Sequence, residues 1–135
     1  MSRIMKILMS LFTQRCEGTF YRAFPWASYL ASRGHDVTIL CTGRKNRFAS
    51  VISREKGVRI IEMPSLFDGR RIMTRLCGMA GWGPLDTIAR WREMGRGTYQ
   101  IVHTFEHHIN VSLPVYLAGM KTKPVFVADG CDHYG

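Results

Sequence analysis

Apolar runs and amphipathic stretches alternate along this chain. Arg3 to Leu11 is nearly continuous in apolar, β-capable residues, the pattern of a strand buried on both faces. A polar loop, Thr13 to Gly18, follows. From Thr19 the apolar positions Phe20, Phe24, Ala27, Leu30 and Ala31 recur at spacings of three and four, one face of a helix. Pro25 lies inside that pattern and predicts a late start or a kink, and Gly34 is the natural stop. Asp36 to Cys41 predicts a second buried strand, Arg47 to Lys56 a short helix stopped by Gly57, and Val58 to Met63 a third strand closed by Pro64. Ser65 to Gly97 is less regular, with a helical piece over Leu85 to Met94. Tyr99 to His103 reads as a fourth strand, Glu106 to Ala118 as a helix despite Pro114, and Lys123 to Ala128 as a fifth strand. Strands alternating with helices predict an α/β fold: a Rossmann-like parallel sheet, order 3-2-1-4-5, with helices on both faces.

Composition narrows the picture. With 135 residues, 46% of them hydrophobic, the chain can build one compact core, and global disorder is excluded. No apolar run approaches the roughly 20 residues of a membrane-spanning helix, and Lys6 breaks the opening stretch before it can serve as a signal peptide. A cytoplasmic protein is the resulting expectation. Cys16, Cys41, Cys77 and Cys131 form no CxxC pair, so neither a disulfide framework nor a zinc site is expected.

The formal charge of +9 implies attraction to something anionic: a membrane surface, a phosphate-bearing substrate or nucleic acid. No RNA- or DNA-binding motif accompanies it, so nucleic acid is not an expected partner. The basic residues fall in loose groups, Arg44 to Arg47, Arg70 to Arg75 and Arg90 to Arg96, each of which also reads as solvated surface. Between Ser65 and Met94, apolar side chains flanked by Arg70, Arg71 and Arg75 suit either contact with anionic lipid or packing on the sheet.

Candidate chemistry gathers where a parallel sheet places its ligand groups, at the C-terminal ends of the strands. The first turn has Gly18 alone where a dinucleotide-binding domain carries GxGxxG, which disfavours a pyrophosphate lying on this backbone. Gly18 and Thr19 at a helix N-terminus can still hold an anionic or hydroxyl-rich ligand, or Thr19 is a plain cap. His103 ends the fourth strand and can donate to a hydroxyl or phosphate, or is structural. Its His-x3-His-His spacing with His107 and His108 is a weak metal pattern, and no metal is expected. Asp129 and Asp132 follow the fifth strand and can bind acceptor hydroxyls or stabilise positive charge on a sugar ring; the other reading is that they shape the turn.

Three stretches, in order and spacing, resemble the N-terminal domain of the family 4 retaining glycosyltransferases, which have the two-domain GT-B fold. Tyr29 to Leu40 (YLASRGHDVTIL) closely resembles the family's LAxRGHxVTVL stretch, Tyr99 to His103 its YDVVH strand, and Lys123 to Val127 the strand that follows. The resemblance covers almost the whole chain. It implies transfer of a sugar from a nucleotide-sugar to an acceptor with anomeric retention, without an added cofactor. Residues 1–135 are expected to be the acceptor-side half, inactive alone, with the donor-binding C-terminal domain absent and the chain cut just after the fifth strand. Asp129 maps to the polar cleft residue and is the expected catalytic position. Glu17, Gly18, Thr19, His103 and Asp132 are the expected substrate contacts. The first loop, Arg15-Cys16-Glu17-Gly18, lacks the family's paired glycines. A lipid-linked, phosphate-bearing or sugar acceptor, at the inner face of an anionic membrane, would suit the basic charge. The alternative is a stand-alone binding or regulatory module that docks on a partner glycosyltransferase.

Overall fold

Strands that are apolar on both faces need a covering layer on each side, and the central strands of this chain have both. The computed structural model describes residues 3–43, 48–65 and 83–129. Among them run β1 (Lys6–Gln14), α1 (Phe20–Ser32), β2 (Asp36–Thr42), β3 (Val51–Glu55), β4 (Val58–Met63), α2 (Pro84–Arg96), β5 (Ile101–Thr104), α3 (Ile109–Gly119) and β6 (Val125–Ala128). The strands form one sheet in the order β3-β4-β2-β1-β5-β6. Its five parallel strands follow the expected 3-2-1-4-5 arrangement, so the Rossmann-like α/β class holds.

The sixth strand is a correction. Residues 51–55 pair antiparallel with β4 rather than forming a helix, from Val51↔Glu62 to Glu55↔Val58. Adjacent β-branched Val51 and Ile52 favour a strand. Lys56 and Gly57 both take positive φ, 48° and 80°, the geometry of a two-residue hairpin turn. Gly57 therefore closes a hairpin; it does not stop a helix.

Successive residues on each strand face opposite layers. Ile7, Met9, Leu11, Ile39, Cys41 and Ile60 pack with Phe20, Ala23 and Ala27 of α1. Leu8, Leu40, Ile61, Met63 and Val102 pack with Met94 of α2 and Ala118 of α3. Helix α1 runs through Pro25. The carbonyl that loses its donor there belongs to Tyr21, on the exposed side of the helix, where solvent can satisfy it. The helix stops as expected: Gly34, at φ 88°, donates to the Ala31 carbonyl and His35 to that of Leu30, a Schellman closure.

A second correction concerns Arg90, read above as one of a group of surface charges. It is fully buried, donating to Asp86 at 2.5 Å and to the Ser10 hydroxyl of β1 at 2.9 Å. Helical spacing puts Asp86 and Arg90 on one face of α2, and that face meets the sheet. Most of the proposed lipid-facing stretch, Leu66 to Trp82, lies outside the described residues. Among those described, no helix is long and apolar enough to cross a membrane.

Candidate functional site

The C-terminal end of β1 carries a polar loop that one carboxylate fastens. Glu106, just past β5, accepts from the backbone N–H of Phe12 at 2.5 Å and of Thr13 at 3.2 Å, and from the Thr19 hydroxyl at 2.7 Å. From the other side, Arg15 donates to Ser53 at 3.2 Å and to Glu55 at 2.6 Å, tying the loop to β3. Such charge-assisted bonds are about twice as strong as neutral ones, so the turn between β1 and α1 has a set shape. Gly18 sits in it at φ 46°, and a Cβ there would come within 3.1 Å of the Thr13 side chain.

The N-terminus of α1 is already occupied by its own chain. Phe20 N–H donates to the Glu17 carbonyl at 2.9 Å and Tyr21 N–H to that of Gly18 at 3.1 Å. Thr19 occupies the cap position, yet its hydroxyl bonds Glu106 and makes no capping bond. The amides that would cradle a phosphate at a bare helix start are thus partly used.

Beside this loop, a groove of about 410 Å³ runs between α1 and the strands β1, β5 and β6. That is within the size range of small-molecule sites. Met9, Leu30, Phe105 and Val127 make its apolar walls, and the exposed indole of Trp26 makes a flat side. Arg22, His103 and Asp129 supply its polar end. Arg22 and Asp129 form an ion pair at 2.5 Å across the mouth, joining the first turn of α1 to the end of β6. Asp129 is held there by its own N–H, which donates to the Thr104 carbonyl at 2.8 Å.

His103 stacks on Phe105, with ring centroids 4.0 Å apart. Burial lowers its pKa below the ordinary 6.5; Asp129 pulls it upward and Arg22 pushes it down. At neutral pH the ring is therefore a neutral imidazole with one donor and one acceptor nitrogen. Donors on Arg22 and His103, acceptors on Asp129 and His103, and a flat aromatic wall over an apolar floor match a ligand with several hydroxyls and an apolar ring face.

Of the expected site residues, the fold brings His103 and Asp129 together in the groove. Thr19 reaches the site only through Glu106, while Glu17 and Gly18 stay on the exposed turn. Asp132 lies outside the described residues. His108 lies against Phe12, ring centroids 3.9 Å apart and tilted by 31°, and no group of three metal-ligating side chains occurs among the described residues. Arg22, Trp26 and Glu106 were not anticipated. Arg22, Trp26 and Leu30 are four apart, a stripe beside the buried face of α1, which is a legible signal. Glu106 is the lone acid in the run His103 to His108, directly after a strand whose end faces the crevice. No protein-family model matches the chain, and no curated protein matches it.

Proposed function

We propose that this chain is the acceptor-binding half of a retaining glycosyltransferase, which places an acceptor hydroxyl for sugar transfer from a nucleotide-sugar. The observation that carries the reading is the meeting of Arg22, His103 and Asp129 at the C-terminal edge of a parallel sheet, beside an exposed indole. In this reading Asp129 accepts a hydrogen bond from the acceptor hydroxyl and favours positive charge developing on the donor sugar. His103 orients a second hydroxyl, and Trp26 stacks on the ring. The nucleotide-sugar is held mainly by a second domain outside these 135 residues, so the chain alone binds and does not turn over. The excess of basic residues fits a cytoplasmic enzyme working at the inner face of an anionic membrane, on a lipid-linked or phosphate-bearing acceptor.

Saturation-transfer NMR with a panel of methyl and alkyl glycosides and of nucleotide-sugars tests this. Glycosides should bind and lose most of their signal with Asp129→Asn, while nucleotide-sugars bind weakly. Nucleotides binding more tightly than every glycoside, or no glycoside binding at all, would overturn it. The exposed apolar side chains around α3 and β6 favour the second reading, a stand-alone module that docks on a partner glycosyltransferase. Failure of the glycoside panel would bring that reading forward.

A further inference from the structure

The two walls of the groove are held by different means. On the strand side, His103 and Asp129 are fixed by backbone: His103 pairs in register with Val127, and the Asp129 N–H donates to the Thr104 carbonyl. On the other side, Arg22, Trp26 and Leu30 ride on α1, which meets the sheet through Phe20, Ala23 and Ala27. Apolar attraction has no direction, and the two alanines bring only single methyl groups to interlock with the strands. Directional bonds therefore set where the first turn of α1 stands. One is the ion pair of Arg22 with Asp129, whose side chains are 54% and 29% exposed. A ligand hydroxyl on Asp129 competes with that pair. A second is the bond from the Thr19 hydroxyl to Glu106 at 2.7 Å.

Glu106 stands where the β1–β5 ladder ends. That ladder runs from Ile7↔Ile101 to Ser10↔Thr104, and the Phe105 N–H still donates to the Ser10 carbonyl. Beyond this point the Glu106 carboxylate takes over as the partner of β1. One of its oxygens accepts from the N–H groups of Phe12 and Thr13, and the other from the Thr19 hydroxyl. The Thr19 carbonyl in turn accepts the N–H groups of Arg22 and Ala23, both at 3.0 Å. A single carboxylate thus connects the ends of β1 and β5 to the turn of helix that carries Arg22. The Thr19 hydroxyl makes no capping bond, so it serves this link and not the helix start.

We infer that Glu106, acting through Thr19, is the positioning residue of the groove. It keeps Arg22 and Trp26 facing His103 and Asp129 while a ligand hydroxyl competes for the ion pair. Neither Glu106 nor Thr19 lines the groove. The inference rests on the sugar-binding reading for its ligand and on the bonds above for its geometry.

NMR titration with the methyl or alkyl glycoside that gives the strongest saturation transfer tests it. Thr19→Val keeps the shape of the side chain and the loop amides on Glu106, and removes only the link. The dissociation constant should rise roughly tenfold, as a loss of preorganisation does, with the circular dichroism unchanged. Thr19→Ser returns the hydroxyl and should restore affinity to within about twofold of the parent. Arg15→Gln cuts the other tie of the same loop, to Ser53 and Glu55, and should keep the parent affinity. A second readout needs no ligand. Arg22 lowers the His103 pKa and Asp129 raises it. Release of Arg22 in Thr19→Val should therefore raise the His103 pKa, followed by ¹³C NMR, and Thr19→Ser should bring it back. Should the valine variant misfold, Thr19→Ala takes its place. Unchanged affinity and unchanged His103 titration in the valine variant would overturn the inference. So would a serine variant that restores neither, or an Arg15→Gln variant that loses as much affinity as Thr19→Val. A parent chain that binds no glycoside removes the sugar-binding reading, and the His103 titration then decides the positioning role alone.

Discussion

Strands β2 and β6 have nearly the same apolar character and opposite surroundings. In β2, Val37 to Cys41 are almost wholly buried, with α1 on one face and α2 and α3 on the other. In β6, all four residues are exposed. An apolar run records the burial a strand is built for, and neighbours decide whether it is met. The β2 side of the sheet is a finished core. The β6 side, which carries the groove, keeps its apolar side chains exposed among the described residues.

The largest expected effect lies on the finished side. Arg90→Ala leaves the Asp86 carboxylate buried without its partner and should cost about 3–5 kcal/mol in urea denaturation. Replacing both residues by leucine should recover much of that loss. Ile39→Ala, at a fully buried position of β2, should cost roughly 2–5 kcal/mol. Val127→Ala in β6 should cost less than about 1 kcal/mol, because its methyl groups are already partly in water. Equal losses at the two positions would erase the contrast.

Between those extremes is the clamp on the first loop. Glu106→Gln retains the shape but loses the charge on three hydrogen bonds, and a loss of ~1.5–3 kcal/mol is expected. Amide exchange at Phe12 and Thr13 should accelerate more than at the centre of β1.

The smallest effect is a pH dependence at the groove. Burial lowers the folded-state pKa of His103 below its unfolded 6.5. Above 6.5 the imidazole is neutral in both states. As the pH falls through that value, the unfolded chain takes up a proton that the folded chain resists, and stability declines. Thermal melts at pH 7.5 and 5.5 should show a smaller difference for His103→Gln than for the parent chain. An unchanged difference would mean that burial of His103 does not govern its titration.

The contrast also explains how much was legible beforehand. Strands such as Asp36 to Cys41 are readable because a strand buried on both faces excludes polar residues, and α1 because its apolar spacing and Gly34 agree. Residues 51–55 misled because Gly57 fits a helix stop and a hairpin turn equally well until the partner strand is known. At the groove, the positions of His103 and Asp129 were legible from one rule, that strand ends in a parallel sheet face the crevice. Glu106 and Arg22 each had a local cue, but the partners that give them a role lie 87 and 107 residues away in the chain, and local pattern does not name such partners. Arg90 failed for the reverse reason: its basic neighbours suggested surface, while its helical face pointed at the sheet.

The most direct test of the proposed acceptor site is NMR of the chain labelled with ¹³C at the histidine Cε1 position, during titration with the methyl or alkyl glycoside that gives the strongest saturation transfer. The account predicts a saturable shift of the His103 resonance that Asp129→Asn abolishes, with the His107 and His108 resonances nearly still. Saturable glycoside binding that leaves His103 unmoved would contradict it, because the sugar would then sit away from the Arg22, His103 and Asp129 groove.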